Sequence, residues 1–282
     1  LSSAVLLAAD SDNNAPPPLT AARADVVHLD AVVVTAGGDG KTAFDLAQGT
    51  SVLAAKELQR RTQATLGETL SATPGVSSTY YGPGASRPII RGLGGDRVRV
   101  LANGVGSLDA SDVSPDHTTA IEPLFASRIE VLRGPATLLY GSSAVGGAVN
   151  VIDNAIPRAP GDGAAHGDLE VRGFGADDER AALASVGSGT PGFAVHVNAL
   201  RRRTDDVRIP GLARIDAAAP PDQPVGTLPN SATDTKSGSV GATGFWSAGH
   251  FGAALSQYET AYGVPTGDDP PLTINLKQTR LD

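Results

Sequence analysis

The chain has 282 residues, with 22 Lys and Arg against 30 Asp and Glu, for a formal charge of −8. That balance excludes a general nucleic-acid binder, which needs a basic face. The absence of Cys excludes disulfides and thiolate metal sites. With 34 Gly and few aromatics, the composition points to turns and short strands rather than long helices. No Met is present, so the chain is expected to begin inside a longer reading frame or after processing. No uncharged apolar run approaches the ~18 residues of a membrane-crossing helix, which leaves the β-barrel route to a membrane open.

In chain order, Leu1–Asp10 reads equally as the tail of a secretory signal and as a frayed apolar end. Ser11–Ala24, with Pro16-Pro17-Pro18, is a flexible linker. His28–Ala36 is an isolated extended run, released by Gly37–Gly40. Ser51–Leu53 suggests a strand and Ala54–Arg61 a helix. Thr65 and Glu68 form a capping box for a second helix through Leu70, which Thr73-Pro74-Gly75 ends. Arg87–Arg91 and Arg97–Leu101 read as strands around the turn Gly92–Gly95, with another turn at Asn103-Gly104. Arg128–Ile152 carries the densest backbone information: strand, break at Gly134-Pro135, a single helical turn over Ala136–Tyr140, a left-handed stop at Gly141, and release through Gly146-Gly147 into Ala148–Ile152. Val26–Pro157 is therefore expected to be a mixed α+β domain.

After Pro160 alternation takes over. Phe193, Val195, Val197 and Ala199 face one way, and Ala194, His196 and Asn198 the other. Five such segments are expected, near 168–175, 180–187, 193–203, 237–247 and 250–259. Each is close to the ~10 residues of a tilted membrane-crossing strand. Short connections at Gly187–Gly192 and Ser247–Gly249 against long ones at Thr204–Lys236 and after Glu259 favour a transmembrane barrel over a soluble β-sandwich, although Ala176–Glu179 breaks the parity. Five strands cannot close a barrel, so the chain is expected to be an N-terminal fragment.

No enzymatic constellation is assembled. Gly40-Lys41-Thr42 ends like a phosphate loop, but Thr35 stands where the first glycine is required. Gly92-Leu93-Gly94-Gly95 has Arg97 at the third glycine position of a dinucleotide fingerprint. Asp109, Asp112, Asp116 and His117 form the densest set of metal-ligand types, on a loop stiffened by Pro115; the alternative is a solvated loop with turn-capping Asp. Arg87, Arg91, Arg97, Arg99, Arg128 and Arg133 lie in or beside expected strands, where they are either surface arginines or, inside a polar-walled barrel, partners of lumen carboxylates.

Several motifs taken together resemble the TonB-dependent outer-membrane receptors. Asp30-Ala31-Val32-Val33-Val34-Thr35-Ala36 resembles the TonB box. Leu70 with Thr73-Pro74-Gly75-Val76, Arg87-Pro88-Ile89-Ile90-Arg91-Gly92, and Ile129–Pro135 with Tyr140-Gly141 and Gly146-Gly147 resemble the plug. The resemblance implies an α+β plug domain followed by antiparallel transmembrane β-barrel strands. Residues 1–25 would be signal remnant and linker, 26–157 box and plug, and 158–282 the first strands of an incomplete barrel of about 22 strands. It also implies residence in outer-membrane lipid with the plug facing the periplasm, and strand addition of Asp30–Ala36 to TonB, energised by its inner-membrane complex. Val105–His117 and Asn275–Arg280 resemble the zinc-uptake branch, which implies Asp116 and His117 as metal ligands and zinc as transported substrate, with no prosthetic group. Thr260–Thr273 departs from that branch by having no His. An iron-siderophore or cobalamin-type chelate is the alternative cargo, and a soluble β-sandwich binding module the alternative fold.

Overall fold

The computed structural model describes residues 49–107, 110–135, 140–173, 175–215, 219, 221–267 and 270–282, all within one unit, Val32–Asp282. The expected signal remnant and linker, the run Asp30–Ala36, Gly40-Lys41-Thr42, Asp109 and the helical turn at 136–139 lie outside the described residues.

The α+β domain is built as expected from short elements. β1 (Gly49–Ala54) leads into α1 (Ala55–Arg61) and α2 (Leu66–Leu70), followed by the hairpin of β2 (Val76–Ser78) and β3 (Pro88–Ile90). β4 (Val98–Ala102), β5 (Val105–Gly106), β6 (Ala126–Arg133) and β7 (Gly147–Asp153) join β1 in a sheet of order β1-β6-β7-β4-β5. Only β4 and β7 run parallel. One face packs Ile129, Val131 and Val149 against Leu53, Leu58, Leu66, Leu70 and Ile90. The other packs Leu132 and Ala148 against Leu101 and Ala144. A sheet covered on both sides explains why Ile129–Leu132 reads as an apolar run rather than an alternation.

The glycine signals are used where expected. Asn103 and Gly104 both take positive φ, 53° and 86°, in the two-residue turn between β4 and β5. Gly141 has φ 81°. A Cβ at Gly147 would collide with the Leu132 carbonyl. The expected capping box is not made: Thr65 makes no side-chain cap. Its hydroxyl turns instead to Ser86 Oγ, and Ser86 Oγ accepts from the Glu68 N–H at 3.2 Å. A hydroxyl from the β3 approach thus takes over the capping role of Thr65.

The second sheet has six strands rather than five: β8 (Ala165–Gly173), β9 (Arg180–Thr190), β10 (Phe193–Thr204), β13 (Thr233–Trp246), β14 (Gly249–Val264) and β15 (Leu272–Leu281). They pair antiparallel in the order β15-β14-β13-β10-β9-β8. Between them the connection after β10 carries a small hairpin of β11 (Arg208–Leu212) and β12 (Val225–Thr227). β15 escapes the sequence reading because its outward positions, Thr273, Asn275, Lys277 and Thr279, are polar. Two-residue turns, Pro191-Gly192 and Ser247-Ala248, close one end of the sheet. The strand ends Gly173 and Arg180, Thr204 and Thr233, and Val264 and Leu272, which the longer connections join, all lie at the other. The parity thus holds throughout.

Register sorts the side chains into two faces. The outward face carries Leu169, Val186, Phe193, Val195, Val197, Val240, Phe251 and Leu255, all exposed. The inward face carries Asn198, Arg202, Thr204, Thr233, Thr235, Ser239, Thr243 and Thr260, all buried. Apolar out and polar in is the pattern of a wall with lipid outside and a polar lumen within. No helix among the described residues is long and apolar enough to cross a membrane.

Ile129 is fully buried at the centre of the larger core cluster. Ile129→Ala is expected to cost about 3 kcal/mol and lower the heat-denaturation midpoint of the full-length protein. An unchanged midpoint would contradict this core.

Candidate functional site

The inward face of the sheet lies against the α+β domain, and arginines of the sheet make the junction. Arg202, one of three consecutive arginines near the end of β10, points inward and is 2 % exposed. Its two terminal nitrogens each reach a Glu122 oxygen at 3.1 Å, and Nη2 also donates to the Ala64 carbonyl at 2.9 Å. Glu122 is itself buried, and its carboxylate accepts from the Leu124 N–H at 3.2 Å. A two-pronged ion pair removed from water is strong while both partners are present and costly once either is lost.

Two further arginines grip backbone. Arg172 on β8 donates to the carbonyls of Thr62 (2.9 Å) and Gln59 (3.1 Å), at the end of α1. Arg280 on β15 donates to the Ala102 carbonyl at 3.0 Å. Close approaches fix the spacing elsewhere. A Cβ at Gly84 would strike the Tyr262 ring, and one at Gly241 the Ala155 carbonyl. Thr243 Oγ1 donates to the Pro157 carbonyl at 2.7 Å. A cleft of ≈ 530 Å³ remains between the two parts, with Asp168, Glu170, Ser185, His196 and Asn198 on its sheet side.

The expectation that arginines of the α+β domain meet lumen carboxylates is corrected by this geometry. Arg87 pairs with Asp112 at 2.7 Å and Arg128 with Glu130 at 3.0 Å, both within the domain. Arg133 Nη2 donates to Ser51 Oγ. The ion pair that crosses the junction runs the other way, from sheet arginine to domain carboxylate.

The loop bearing the expected metal ligands is tied to the same wall. Tyr262 of β14 accepts from the Thr118 N–H at 3.0 Å and donates to the Asp116 carbonyl at 3.1 Å. This anchors the loop at the end of the sheet that carries the long connections. Asp112 is drawn away to Arg87, so the sequence cluster is split. Asp116 and His117 stay together: Asp116 Oδ1 lies 3.0 Å from His117 Nδ1 and accepts from the Ser114 hydroxyl. The Ser114 hydrogen bond, with His117 adding to it, holds the Asp116 carboxyl below its usual range. The Asp116 carboxylate accepts from His117 Nδ1 in the tautomer that carries the proton there, and that tautomer leaves the Nε2 lone pair available as a ligand. Among the described residues no three His, Asp or Glu side chains gather to hold a metal. The pair offers one oriented imidazole nitrogen rather than a closed zinc shell.

Glu122, Arg172, Arg202 and Tyr262 are not singled out by sequence, and Arg280 enters there only as the end of Asn275–Arg280. The signal for Arg202 was present: continuing the inward phase of Ala194, His196 and Asn198 by two residues at a time lands on it.

Glu122→Gln and Arg202→Met should each cost about 3–5 kcal/mol by stranding a buried charge or its hydrogen bonds, and the double variant markedly less than the sum. Heat denaturation of the full-length protein reads this, and strict additivity would exclude a buried pair. Because the folded pKa of Asp116 is depressed, its stabilisation is present above the unfolded carboxylate value and disappears as pH falls through the folded one. Asp116→Asn should therefore flatten the acid limb of the stability–pH profile without changing the alkaline limb.

Comparison with known proteins places this geometry. Residues 42–148 match the family model of the TonB-dependent Receptor Plug Domain. The chain is 32% identical over 174 residues to a hemin receptor of Yersinia pestis, covering 56% of this chain and 25% of that receptor. The chain thus spans about a quarter of that relative. In fold it is similar to the copper transporter OprC, with TM-score 0.64 and 18% identity over 82% of this chain and 33% of that one. It is also similar to the hemophore receptor HasR of Serratia marcescens, solved with its hemophore HasA and heme, with TM-score 0.60 and 17% identity over 80% of this chain and 33% of that one.

Proposed function

We propose that this chain, a TonB-dependent receptor plug domain followed by the first antiparallel strands of the barrel wall, works as part of an outer-membrane transporter that imports a scarce iron-bearing compound of the haem type, energised through TonB. It is not an enzyme: its domain model is that of a receptor plug. The observation that carries the reading is a plug seated on the polar face of a wall whose other face is apolar. Such an arrangement closes a pore that must be opened by work. Asp30–Ala36 is the segment offered to TonB, by strand addition, and the protein resides in outer-membrane lipid.

The cargo assignment rests on His117. Imidazole is one of the axial ligands that hold haem iron, and the contact of Asp116 with His117 Nδ1 leaves Nε2 to serve as one. The relatives named above bind hemin or heme, or carry copper, as their names state. The zinc reading uses the same two residues, Asp116 and His117, whose carboxylate–imidazole contact measures 3.0 Å. It requires at least one more ligand from elsewhere. The iron-siderophore form of the cargo needs no His117 ligation.

Spectrophotometric titration of the full-length receptor with hemin separates these readings. A shifted Soret band that is lost in His117→Ala supports haem ligation. Saturable zinc binding abolished by the same substitution, with no response to hemin, supports zinc. Deleting Asp30–Ala36 should abolish energised uptake while leaving cargo binding intact. Recovery of the receptor from the periplasm rather than the outer membrane would overturn the transporter reading.

A further inference from the structure

Tyr262 fastens two loops of the plug. Its hydroxyl bonds the backbone of the His117 loop, and its ring carries the tip of the hairpin that β2 and β3 begin. Backbone bonds continue that hairpin past its strands. The Thr79 N–H donates to the Arg87 carbonyl at 2.9 Å, and the Tyr81 N–H to the Ala85 carbonyl at 3.0 Å. The tip is wedged against the wall: a Cβ at Gly82 would strike the Pro265 ring, as one at Gly84 would strike Tyr262.

Alternation along the extended hairpin sorts its side chains into two faces. Ser78, Tyr80 and Ser86 belong to the face turned toward α2, where a Cβ at Gly67 would strike the Ser78 and Ser86 hydroxyls. Thr79, Tyr81, Ala85 and Arg87 belong to the other. From that face Arg87 holds Asp112 at 2.7 Å and Ala85 packs with Tyr262. These are the two residues that tie down the loop bearing Asp116 and His117. Tyr81, paired across the hairpin with Ala85, therefore stands beside that loop. It is nonetheless 40% exposed, and Val113, earlier on the His117 loop, is 88% exposed. The fold leaves both apolar surfaces unused.

We propose that Tyr81, aided by Val113, is the specificity determinant that contacts the macrocycle of a haem whose iron takes His117 Nε2. The inference rests on the haem reading of the cargo and adds what recognises the ring. An imidazole nitrogen accepts iron, zinc or copper and does not distinguish a bare ion from a porphyrin. A porphyrin is a flat conjugated surface, and an aromatic side chain offers it both apolar area and a stacking face. A hydrated zinc ion has no apolar surface to lay against that ring. Small-molecule sites join a few oriented polar groups to apolar and aromatic lining, and His117 with Tyr81 and Val113 supplies that combination. Because the hairpin tip is wedged at Gly82 and Gly84, Tyr81 needs little further ordering when the ring arrives.

The test titrates the full-length receptor in detergent with hemin, metal-free protoporphyrin and zinc ion. Tyr81→Ala should weaken hemin and protoporphyrin by about tenfold, the scale of an aromatic contact together with the area it buries. The shape of the hemin Soret band should persist, because His117 still ligates, and any response to zinc should be unaltered. Tyr81→Phe should keep the affinity for both porphyrins. His117→Ala should lose the shifted Soret band and retain protoporphyrin. Unaltered hemin affinity in Tyr81→Ala overturns the proposal, as does failure of the unsubstituted receptor to bind metal-free protoporphyrin. An equal loss for zinc in Tyr81→Ala would mark a merely structural role and overturns it too. Should that variant lower the heat-denaturation midpoint, Val113→Ser decides, since its side chain is exposed: protoporphyrin affinity should fall, and an unchanged value overturns the proposal. A Soret shift that depends on His117 but not on Tyr81 leaves the haem reading standing without this one. No Soret shift in the unsubstituted receptor removes both.

Discussion

A sheet that faces hydrocarbon on one side has only its other side on which to keep polar side chains. With a strand period of two, every second residue of β8, β9, β10, β13 and β14 turns to the face that meets the α+β domain. That face carries hydroxyls, an amide and arginines, and whatever packs on it must answer them. The α+β domain does so with main-chain carbonyls, one carboxylate and a loop whose backbone is bonded by a phenol. The polarity of the junction follows from the apolarity of the exterior.

Two kinds of force then seat the domain. Hydrogen bonds and the Arg202–Glu122 pair are directional and lose strength quickly with displacement. Steric contacts at Gly84 against Tyr262 and Gly241 against Ala155 are unforgiving in the opposite sense. A domain held by attraction at some points and by hard contact at others has one position. The loop carrying Asp116 and His117 inherits that position through Tyr262.

Much of this was legible from residues alone. Glycine and proline punctuation located β6, β7, the turn at Asn103-Gly104 and the left-handed Gly141, because each demands a backbone conformation that few residues tolerate. Alternation located five of the six wall strands for the same reason that the wall exists. β15 escapes the alternation because its outward side chains, Thr273, Asn275, Lys277 and Thr279, are polar. Thr65 was misjudged because a hydroxyl distant in sequence, Ser86, entered the cap. The junction was the least legible part. Arg172, Arg202 and Arg280 are ordinary in composition, and only the facing domain shows what they hold. Asp112 joined the metal-ligand set on proximity in sequence, whereas Arg87 had already claimed it in space.

The manner in which the wall arginines hold the plug has a consequence for how the protein can evolve. Arg172, Arg202 and Arg280 take hold at the carbonyls of residues 59, 62, 64 and 102. Every amino acid supplies that oxygen. Side chains at those four positions can therefore drift across lineages without loosening the grip, while the three guanidiniums have no substitute. Divergence should accumulate on one side of the seam and stall on the other.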